Sequence, residues 1–345
     1  METITIKDIA RICGVGVSTV SRAMNNHPDI NEETRVKVME AIQEYHYIPN
    51  NSARNLKRSN SKAIAVLVKG ISNPFFSKMI KVFEEEIYSR RYSFILQQVE
   101  EREDEIDVAL SLVKEKKPLG IIFLGGCFSH SQERLRQVTV PYVLCTVGLI
   151  REWEAGICSV VSVDDYKESY RIVDFLCKLG HKRIAIITAE MEEGSIGWQR
   201  HLGYEKALKE HGIIPDPALR MVIQDDSNPY TMENGYSITK KLLNSDASFS
   251  ALFAVSDSIA IGAMRAIHES GKRIPEDYSV IGFDGLDISS YYIPSLTTLK
   301  QPAEEMAQYS IRLLFDVIKS RKVHQFRIFS GTLMIGESTS SFHEK

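Results

Sequence analysis

Side chains able to read DNA bases are concentrated between residues 17 and 22. Ser18, Thr19 and Ser21 carry hydroxyl groups that bond base edges or phosphates. Val17 suits contact with a thymine methyl group, and Arg22 has the forked donors that guanine accepts. The pattern predicts a DNA-contacting segment. The alternative is a generic three-helix unit whose polar helix is merely solvated, and helical periodicity alone does not separate the two.

Three short helices are predicted to present this segment. Thr5 and Asp8 have the spacing of a capping box at the start of the first helix, and Asn31 is a favourable cap for the third. Between the first two helices, Gly14-Val15-Gly16 makes a tight turn, the connection that lets a second helix enter the major groove. The predicted helices run from Ile6 to about Cys13, from Val17 to about Met24 and from Glu32 to about Tyr45.

From Ala63 onward the sequence pattern changes. Short apolar strands alternate with amphipathic helical segments to the end of the chain. This alternation predicts parallel sheets that are covered by helices on both faces. Because the strands are too many for one ordinary sheet, the fold expected for this part is two doubly wound α/β lobes.

Composition limits the class of protein. The 345 residues are 43% hydrophobic and 25% charged with a formal net charge of -3, and no apolar run approaches the roughly 18 residues that span a bilayer. The first residues lack the basic and apolar regions of an export signal, so we expect a cytoplasmic protein. The cysteines are odd in number without a CxxC pair, so we expect neither a disulfide framework nor a zinc cluster. We also expect no cofactor and no other metal site. They are Cys13, Cys127, Cys145, Cys158 and Cys177.

Motifs in the amino-terminal segment resemble those of the lactose-repressor (LacI/GalR) family of bacterial transcriptional regulators. The chain departs from that family at Gly16, where Ser usually caps the recognition helix. Because Gly caps less well than Ser, we expect a slightly frayed helix start and an unchanged fold. The matching residues are Thr5-Ile6-Lys7-Asp8-Ile9-Ala10, Gly14-Val15-Gly16-Val17-Ser18-Thr19-Val20-Ser21-Arg22, Thr34-Arg35 and Tyr47-Ile48-Pro49-Asn50.

The resemblance implies a head, a hinge and a body. Residues 1–48 would form a helix-turn-helix DNA-binding domain, residues 49–62 a hinge helix and linker, and residues 63–345 an effector-binding and dimerisation domain. Leu56 resembles the residue that this family wedges into the minor groove, and an ordinary linker role is the alternative. The DNA-binding residues that the resemblance and the pattern indicate are Thr5, Val17, Ser18, Thr19, Ser21, Arg22, Asn25, Thr34, Tyr47, Asn50, Ala53, Arg54, Leu56 and Lys57.

Further blocks extend the resemblance over essentially the whole chain. They imply a periplasmic-binding-protein-like body with a ligand between two lobes, roughly 63–160 plus 293–320 and 161–292 plus 321–345. Gly336 stands where the family usually has Arg, so the side chain that would make any contact of that Arg is missing here. The blocks include Leu179-Gly180-His181-Lys182-Arg183-Ile184, Arg200-His201-Leu202-Gly203-Tyr204, Val280-Ile281-Gly282-Phe283-Asp284 and Leu296-Thr297-Thr298.

Candidate effector-binding residues follow strands of the predicted lobes, where sheets of this kind bind ligands. Arg200 and Asp284 resemble the ligand-contacting pair of the family, which holds hydroxyl or carboxylate groups; a salt bridge across the cleft is the alternative. Phe75 and Phe76 suit stacking on a flat or sugar-like face, or else they seal the lobe. Weaker candidates are Ser256, Asp257, which would otherwise cap a helix, Trp198 and Thr146.

The function expected is that of a homodimeric transcription regulator, in its simplest form a repressor, that binds a palindromic operator under control of a sugar or sugar phosphate. Two linked heads gain effective concentration on a two-fold symmetric site. A nucleotide-binding enzyme is disfavoured because Gly14-x-Gly16 lacks a third glycine and Gly125-Gly126 lacks a P-loop lysine. A solute-binding protein would share the body, but it would need an export signal and no head.

Overall fold

The computed structural model describes residues 4–24, 27–45, 47, 62–126, 132–147, 158–189, 195–224, 228–320 and 323–342. The chain divides into two compact units, Met1–Ser61 and Lys62–Lys345. The first is helical, and the second contains two six-stranded α/β sheets. The predicted combination of a helical head and a doubly wound body with two lobes is therefore confirmed.

Three helices form the amino-terminal unit: α1 (Ile6–Cys13), α2 (Val17–Met24) and α3 (Glu32–Glu44). Thr5 donates from its backbone N–H and its hydroxyl to Asp8 Oδ2, at 3.0 and 2.6 Å, where α1 begins. Asn31 Oδ1 accepts from the N–H of Thr34 at 2.8 Å where α3 begins. The predicted helices are confirmed, with α3 ending at Glu44 rather than Tyr45.

The core of this unit takes side chains from all three helices. Ile9, Val20 and Val38 are completely buried and pack together. Full burial of such side chains contributes about 1.5–3 kcal/mol each, so this small cluster carries much of the stability of the unit. Gly14 ends α1 with a φ of 65°, a conformation that glycine adopts without the strain of a Cβ atom. The tight turn into α2 follows from it.

The body contains twelve strands and eight further α-helices among the described residues. They are β1 (Ala63–Lys69), α4 (Pro74–Ser89), β2 (Ser93–Val99), α5 (Glu105–Lys116), β3 (Gly120–Leu124), α6 (Gln132–Leu135), β4 (Tyr142–Cys145), β5 (Ser159–Val163), α7 (Asp165–Lys178), β6 (Ile184–Thr188), α8 (Ile196–Glu210), β7 (Arg220–Val222), α9 (Met232–Leu243), β8 (Ala251–Ala254), α10 (Asp257–Glu269), β9 (Ser279–Asp284), β10 (Thr297–Lys300), α11 (Ala303–Ile318), β11 (Phe326–Phe329) and β12 (Thr332–Met334).

Each lobe has one sheet, and the two sheets share one strand order. The first sheet runs β2-β1-β3-β4-β5-β11 and the second β7-β6-β8-β9-β10-β12. The pairs are parallel except for β10 with β12, which is antiparallel. Central strands such as β3 and β8 are buried along their whole length, as expected for parallel strands covered on both faces. Sheets of this order bind ligands beyond the carboxyl ends of their strands, where the strand order reverses.

The boundary between the lobes differs from the sequence prediction at two strands. Residues 293–320 were expected in the first lobe, but β10 pairs with β9 in the second sheet, with Thr298 beside Gly282. Residues 321–345 were expected in the second lobe, but β11 pairs with β5 in the first sheet, with Phe326 beside Val160. Strands of four residues contain too little pattern to indicate which sheet they join. The chain therefore crosses between the lobes after β5, after β10 and after β11.

Within the described ranges, no helix is both long enough and apolar enough to cross a membrane.

Candidate DNA-reading helix and effector cavity

Helix α2 presents its predicted DNA-contacting side chains away from the core of the head. Val20 and Ala23 are buried, whereas Val17, Ser18 and Arg22 are exposed. The remaining members of the segment, Thr19 and Ser21, are partly exposed. The exposed face of α2 is thus polar with one apolar end, a composition able to contact base edges in a groove.

Other predicted DNA-binding residues of the head have different surroundings. Thr5 is exposed at the start of α1, and Thr34 is partly buried in the first turn of α3. Tyr47 is buried in the head core, and its N–H donates to the carbonyl oxygen of Ile42 at 3.0 Å. The predicted residues outside the described part of the chain are Asn25, Asn50, Ala53, Arg54, Leu56 and Lys57.

An acidic residue that the sequence analysis did not single out contacts Arg22. Arg22 Nη1 donates to Asp29 Oδ2 at 2.8 Å, and His27 Nδ1 lies 2.5 Å from Asp29 Oδ1. The turn at Pro28 brings Asp29 back beside the last turn of α2. The only available signal was an acid seven residues after Arg22 beyond a turn, which is weak evidence on its own.

A cavity of about 570 Å³ lies in the body, with side chains of both lobes around it. Its volume falls within the range of about 300–1,000 Å³ that is typical of small-molecule sites. The structure brings six of the eight predicted effector-binding residues to its wall. From the first lobe these are Phe75, Phe76 and Thr146, and from the second Arg200, Ser256 and Asp284.

The first lobe supplies an aromatic wall. Asn73 caps α4 by accepting from the N–H of Phe75 at 3.0 Å, and this fixes the first turn that carries Phe75 and Phe76. Both rings are mostly buried, with centroids 5.7 Å apart. Phe75 and Phe76 therefore belong to the core of the lobe as well as to the cavity wall. The two interpretations from the sequence, stacking on a ligand and sealing the lobe, are compatible.

Gly125 and Thr146 shape the base of this wall. Gly125 has a φ of 73°, and a Cβ atom there would lie 2.8 Å from both the Lys69 carbonyl oxygen and the Phe76 ring. The N–H of Gly125 donates to the hydroxyl of Thr146 at 3.1 Å. Thr146 itself has a φ of 57°, which is unusual for a β-branched residue. Close approach of the strand ends thus places the Thr146 hydroxyl at the cavity.

Arg200 is held in place by its own lobe. Its Nε donates to Asp165 Oδ1 at 2.8 Å, its Nη1 donates to the carbonyl oxygen of Val255, and its guanidinium lies 3.6 Å from the centroid of the Phe283 ring. Burial raises the pKa of Asp165, and the Arg200 charge opposes that shift. The alternative of an Arg200–Asp284 bridge across the cleft does not apply, because both residues belong to the second lobe and the ion partner is Asp165. Sequence reasoning missed Asp165, since its pairing joins two helices that are separated in the chain by β6.

Asp284 has one carboxylate oxygen without a protein partner. Its Oδ1 accepts from Gln301 Nε2 at 2.8 Å, whereas Oδ2 is buried and has no hydrogen-bond partner among the described residues. Burial raises the pKa of Asp284 to about 8, against the lowering effect of nearby Arg200. A φ of 123° marks a strained backbone at this residue. An unsatisfied acid of this kind at a cavity wall is a strong candidate for ligand contact.

Two predicted effector-binding residues do not line the cavity in the described part of the chain. Asp257 is buried and accepts hydrogen bonds from three donors of the second lobe. Trp198 lies in the first turn of α8 and packs with His201, the ring centroids 6.0 Å apart. The donors to Asp257 are the Leu286 N–H at 2.7 Å, the Ser289 hydroxyl at 2.8 Å and the Thr298 hydroxyl at 2.5 Å.

The roles of Ser256 and Asp257 differ from the sequence interpretation. The hydroxyl of Ser256, rather than Asp257, caps α10 by accepting from the Ile259 N–H at 3.3 Å. The three donors fix Asp257 as an internal anchor for the turn that follows β9. Ser256 keeps its place on the cavity wall.

Two cations at the cavity, Lys69 and Arg200, are engaged by acids of the same lobe, and the exposed Arg102 is a third cation on the wall. Lys69 Nζ lies 3.2 Å from the buried Glu105 Oε1 and donates to the carbonyl oxygen of Glu103 at 3.0 Å. Burial raises the pKa of Glu101, another wall residue, while Lys69 opposes the shift. Together with the Arg200–Asp165 pair, these contacts leave Arg102 as the one wall cation outside an ion pair among the described residues.

Comparisons with known proteins agree with this architecture. The model for bacterial regulatory proteins of the lacI family matches residues 5–50, and the model for the periplasmic binding protein-like domain matches residues 173–339. The HTH-type transcriptional regulator MalR of Clostridium butyricum is 42% identical over 315 residues, which cover 91% of this chain and 92% of that protein.

Two solved structures extend the comparison. The lac repressor dimer bound to operator and the anti-inducer ONPF matches with a TM-score of 0.77 and 26% identity, covering 98% of this chain and 100% of that one. The transcriptional regulator CelR in complex with cellobiose matches with a TM-score of 0.70 and 26% identity, covering 97% and 99%.

Proposed function

Because the chain belongs to the lacI family of bacterial regulatory proteins, it is a sequence-specific DNA-binding repressor under small-molecule control, and we propose how its residues divide that work. Helix α2 reads the operator through Val17, Ser18, Thr19, Ser21 and Arg22. The cavity of the body binds the effector through Asp284 and the residues around it. The observation that carries the second assignment is the buried, unpartnered Oδ2 of Asp284.

The effector that suits this cavity is an uncharged sugar. A hydroxyl group would supply the donor that Asp284 Oδ2 lacks, and the Phe75 and Phe76 rings offer an apolar surface to a sugar face. A phosphate group would meet three acids on the wall, Asp284, Asp165 and Glu101, whereas Arg102 is the one wall cation outside an ion pair in the part of the chain that the structure describes. Between the two ligand classes expected from the sequence, these charges favour the neutral sugar over the sugar phosphate, in line with the cellobiose bound by the related CelR.

The chain acts as a homodimer in this proposal. Large apolar side chains are exposed on both lobes, and water disfavours such groups unless a partner covers them. Two linked heads then bind the two halves of a palindrome. The related lac repressor is a dimer on its operator. The exposed residues are Tyr88 and Leu96 on the first lobe and Ile288, Tyr291 and Ile293 on the second.

The family consists of transcription regulators, which are not enzymes, and we extend this to the present chain: the cavity binds its ligand without chemical change. Arg200 and Lys69 are held by acids of their own lobes, so they serve position and charge balance rather than catalysis. The cytoplasm, where the chromosomal operator lies, is the proposed location. Incubation of a bound sugar with the protein followed by mass spectrometry of the sugar should return it unchanged.

One experiment tests both halves of the proposal. Duplexes retained from a random pool by the full-length protein should contain a pseudo-palindrome, and a panel of neutral disaccharides should include one that changes retention. A panel of the matching sugar phosphates serves as the comparison. Retention without sequence preference would contradict the DNA assignment, and a response to phosphates alone would contradict the effector assignment.

A further inference from the structure

The turn after α2 contacts both the backbone and the side chain of Arg22. The N–H of His27 donates to the carbonyl oxygen of Arg22 at 3.1 Å. Asp29 Oδ2 accepts from Arg22 Nη1 at 2.8 Å, while Asp29 Oδ1 lies 2.5 Å from His27 Nδ1. Both oxygens of Asp29 are therefore engaged, and its position relative to the end of α2 is defined from two sides.

We propose that Asp29 is a positioning residue that sets operator selectivity through Arg22. The inference rests on the proposed function, in which α2 reads DNA. A guanidinium recognises guanine with two parallel N–H bonds, which requires a fixed plane and not only a positive charge. Asp29 takes up one amino group of Arg22 and leaves further donors for a base. The rotamer entropy of Arg22 is then lost before DNA arrives, not on binding.

The negative charge of Asp29 also favours operator selectivity. Non-specific affinity for duplex DNA comes from cations that face phosphates and release counterions. Paired with Asp29, Arg22 adds less to that affinity, and the carboxylate itself is repelled by phosphates. Asp29 therefore weakens binding to non-cognate duplex while it favours the guanine-reading geometry, and both effects raise the ratio of specific to non-specific affinity.

The pair contributes little to folding, which makes the inference testable. The side chains of Arg22 and Asp29 are 57% and 45% exposed. Exposed ion pairs are worth about 0–1 kcal/mol, and this pair adds no contact to the core formed by Ile9, Val20 and Val38. Variants at Asp29 should therefore keep the fold of the head.

The test compares affinities of the full-length protein for its selected operator and for a scrambled duplex of equal length. With Asp29→Asn, affinity for the scrambled duplex should rise about three- to tenfold, with a salt dependence steeper by up to about 0.9 in log–log slope. The ratio of specific to non-specific affinity should fall about tenfold. Glu40→Gln, which removes the same charge from an exposed position on α3, should leave the ratio unchanged.

Two further variants separate geometry from charge. Asp29→Glu keeps the charge but displaces the carboxylate, so the ratio should fall while the salt slope stays constant. In an Arg22→Ala background, Asp29→Asn should lower the ratio less than in the unmodified protein, because only the repulsion between the carboxylate and phosphates is then removed. An equal fall with and without Arg22, or no larger effect than that of Glu40→Gln, would overturn the inference. Absence of any duplex preference in the unmodified protein would instead refute the proposed function.

Discussion

Gln301 donates from Nε2 to Asp284 Oδ1 at 2.8 Å, and this contact fixes a buried carboxyl group whose second oxygen has no hydrogen-bond partner in the described part of the chain. A buried acceptor without a donor is expensive, since it has lost water and gained nothing in exchange. The strained backbone of Asp284 holds it there at the cavity wall. A ligand hydroxyl that reached Oδ2 would remove this penalty, and effector affinity should depend on it.

Asp284→Asn should weaken binding of the neutral sugar above about pH 8, where Asp284 is ionised and its Oδ2 is an acceptor. The amide oxygen can still accept from Gln301, but an NH₂ group replaces the acceptor that the ligand needs. Loss of a hydrogen bond to a charged group corresponds to about 1.5–3 kcal/mol, or a 10- to 150-fold higher Kd. Isothermal titration calorimetry measures the change, and exposed Asp246→Asn is the matched control. An unchanged Kd would remove Asp284 from the binding site.

The stability of the ligand-free protein should depend on pH through Asp284. Burial raises the pKa of this group to about 8, against about 4 in an unfolded chain. Between these values the folded protein holds a proton that the unfolded chain lacks, so the contribution to the free energy of unfolding is full below about pH 4 and is lost as pH rises through 8.

Urea unfolding at pH 5, 6, 7 and 8 checks this expectation. The difference in unfolding free energy between the unmodified protein and Asp284→Asn should decrease steadily along the series, because the variant has no group to titrate at that position. Asp165 and Asp257 raise this pKa and Arg200 lowers it, so all three remain unmodified in the comparison. A difference that is the same at every pH would show that Asp284 does not titrate in this range.

The sequence predicted the elements of the site better than the contacts among them. Caps and helical periodicity are local, so Thr5, Asn31 and the exposed face of α2 could be located from the chain alone. The Arg200–Asp165 pair joins residues 35 apart, and no local pattern encodes it. Asp257 is a weaker ligand candidate from the sequence because it follows a strand, whereas three donors from later residues make it an internal anchor.

Arg200 and Asp165 should behave as one unit in folding. Both side chains are about 5% exposed, and removal of one leaves a buried charge without its partner. Arg200→Met should therefore lower the free energy of unfolding by about 3–5 kcal/mol. The double variant with Asp165→Asn should be more stable than the sum of the two single changes predicts, because it buries no unpaired charge. Strict additivity in urea unfolding would contradict direct coupling.

Gly125→Ala should destabilise the first lobe through both backbone strain and steric clash of the added Cβ atom. A Cβ atom at this φ of 73° would lie 2.8 Å from the Lys69 carbonyl oxygen and from the Phe76 ring. Gly212→Ala is a matched control, since φ is 69° there and no atom lies within 4 Å of the added Cβ. The control should lose about 1–2 kcal/mol from conformation alone, and Gly125→Ala clearly more. Equal losses would mean that Phe76 moves aside freely.

Ile293→Asp should dissociate the proposed dimer. Ile293 is 95% exposed in the described chain, and Tyr291 beside it is 83% exposed, so a partner surface is needed to shield them from water. A charge at this position would have to be buried without a counterion on association. Ile214→Asp, at a site 89% exposed and distant in sequence, controls for the charge itself.

Analytical ultracentrifugation should give a monomer for Ile293→Asp and a dimer for the control. Operator affinity should fall by about 100-fold only in the first, because the two heads lose their effective concentration. A dimer that persists with Ile293→Asp would place the interface elsewhere.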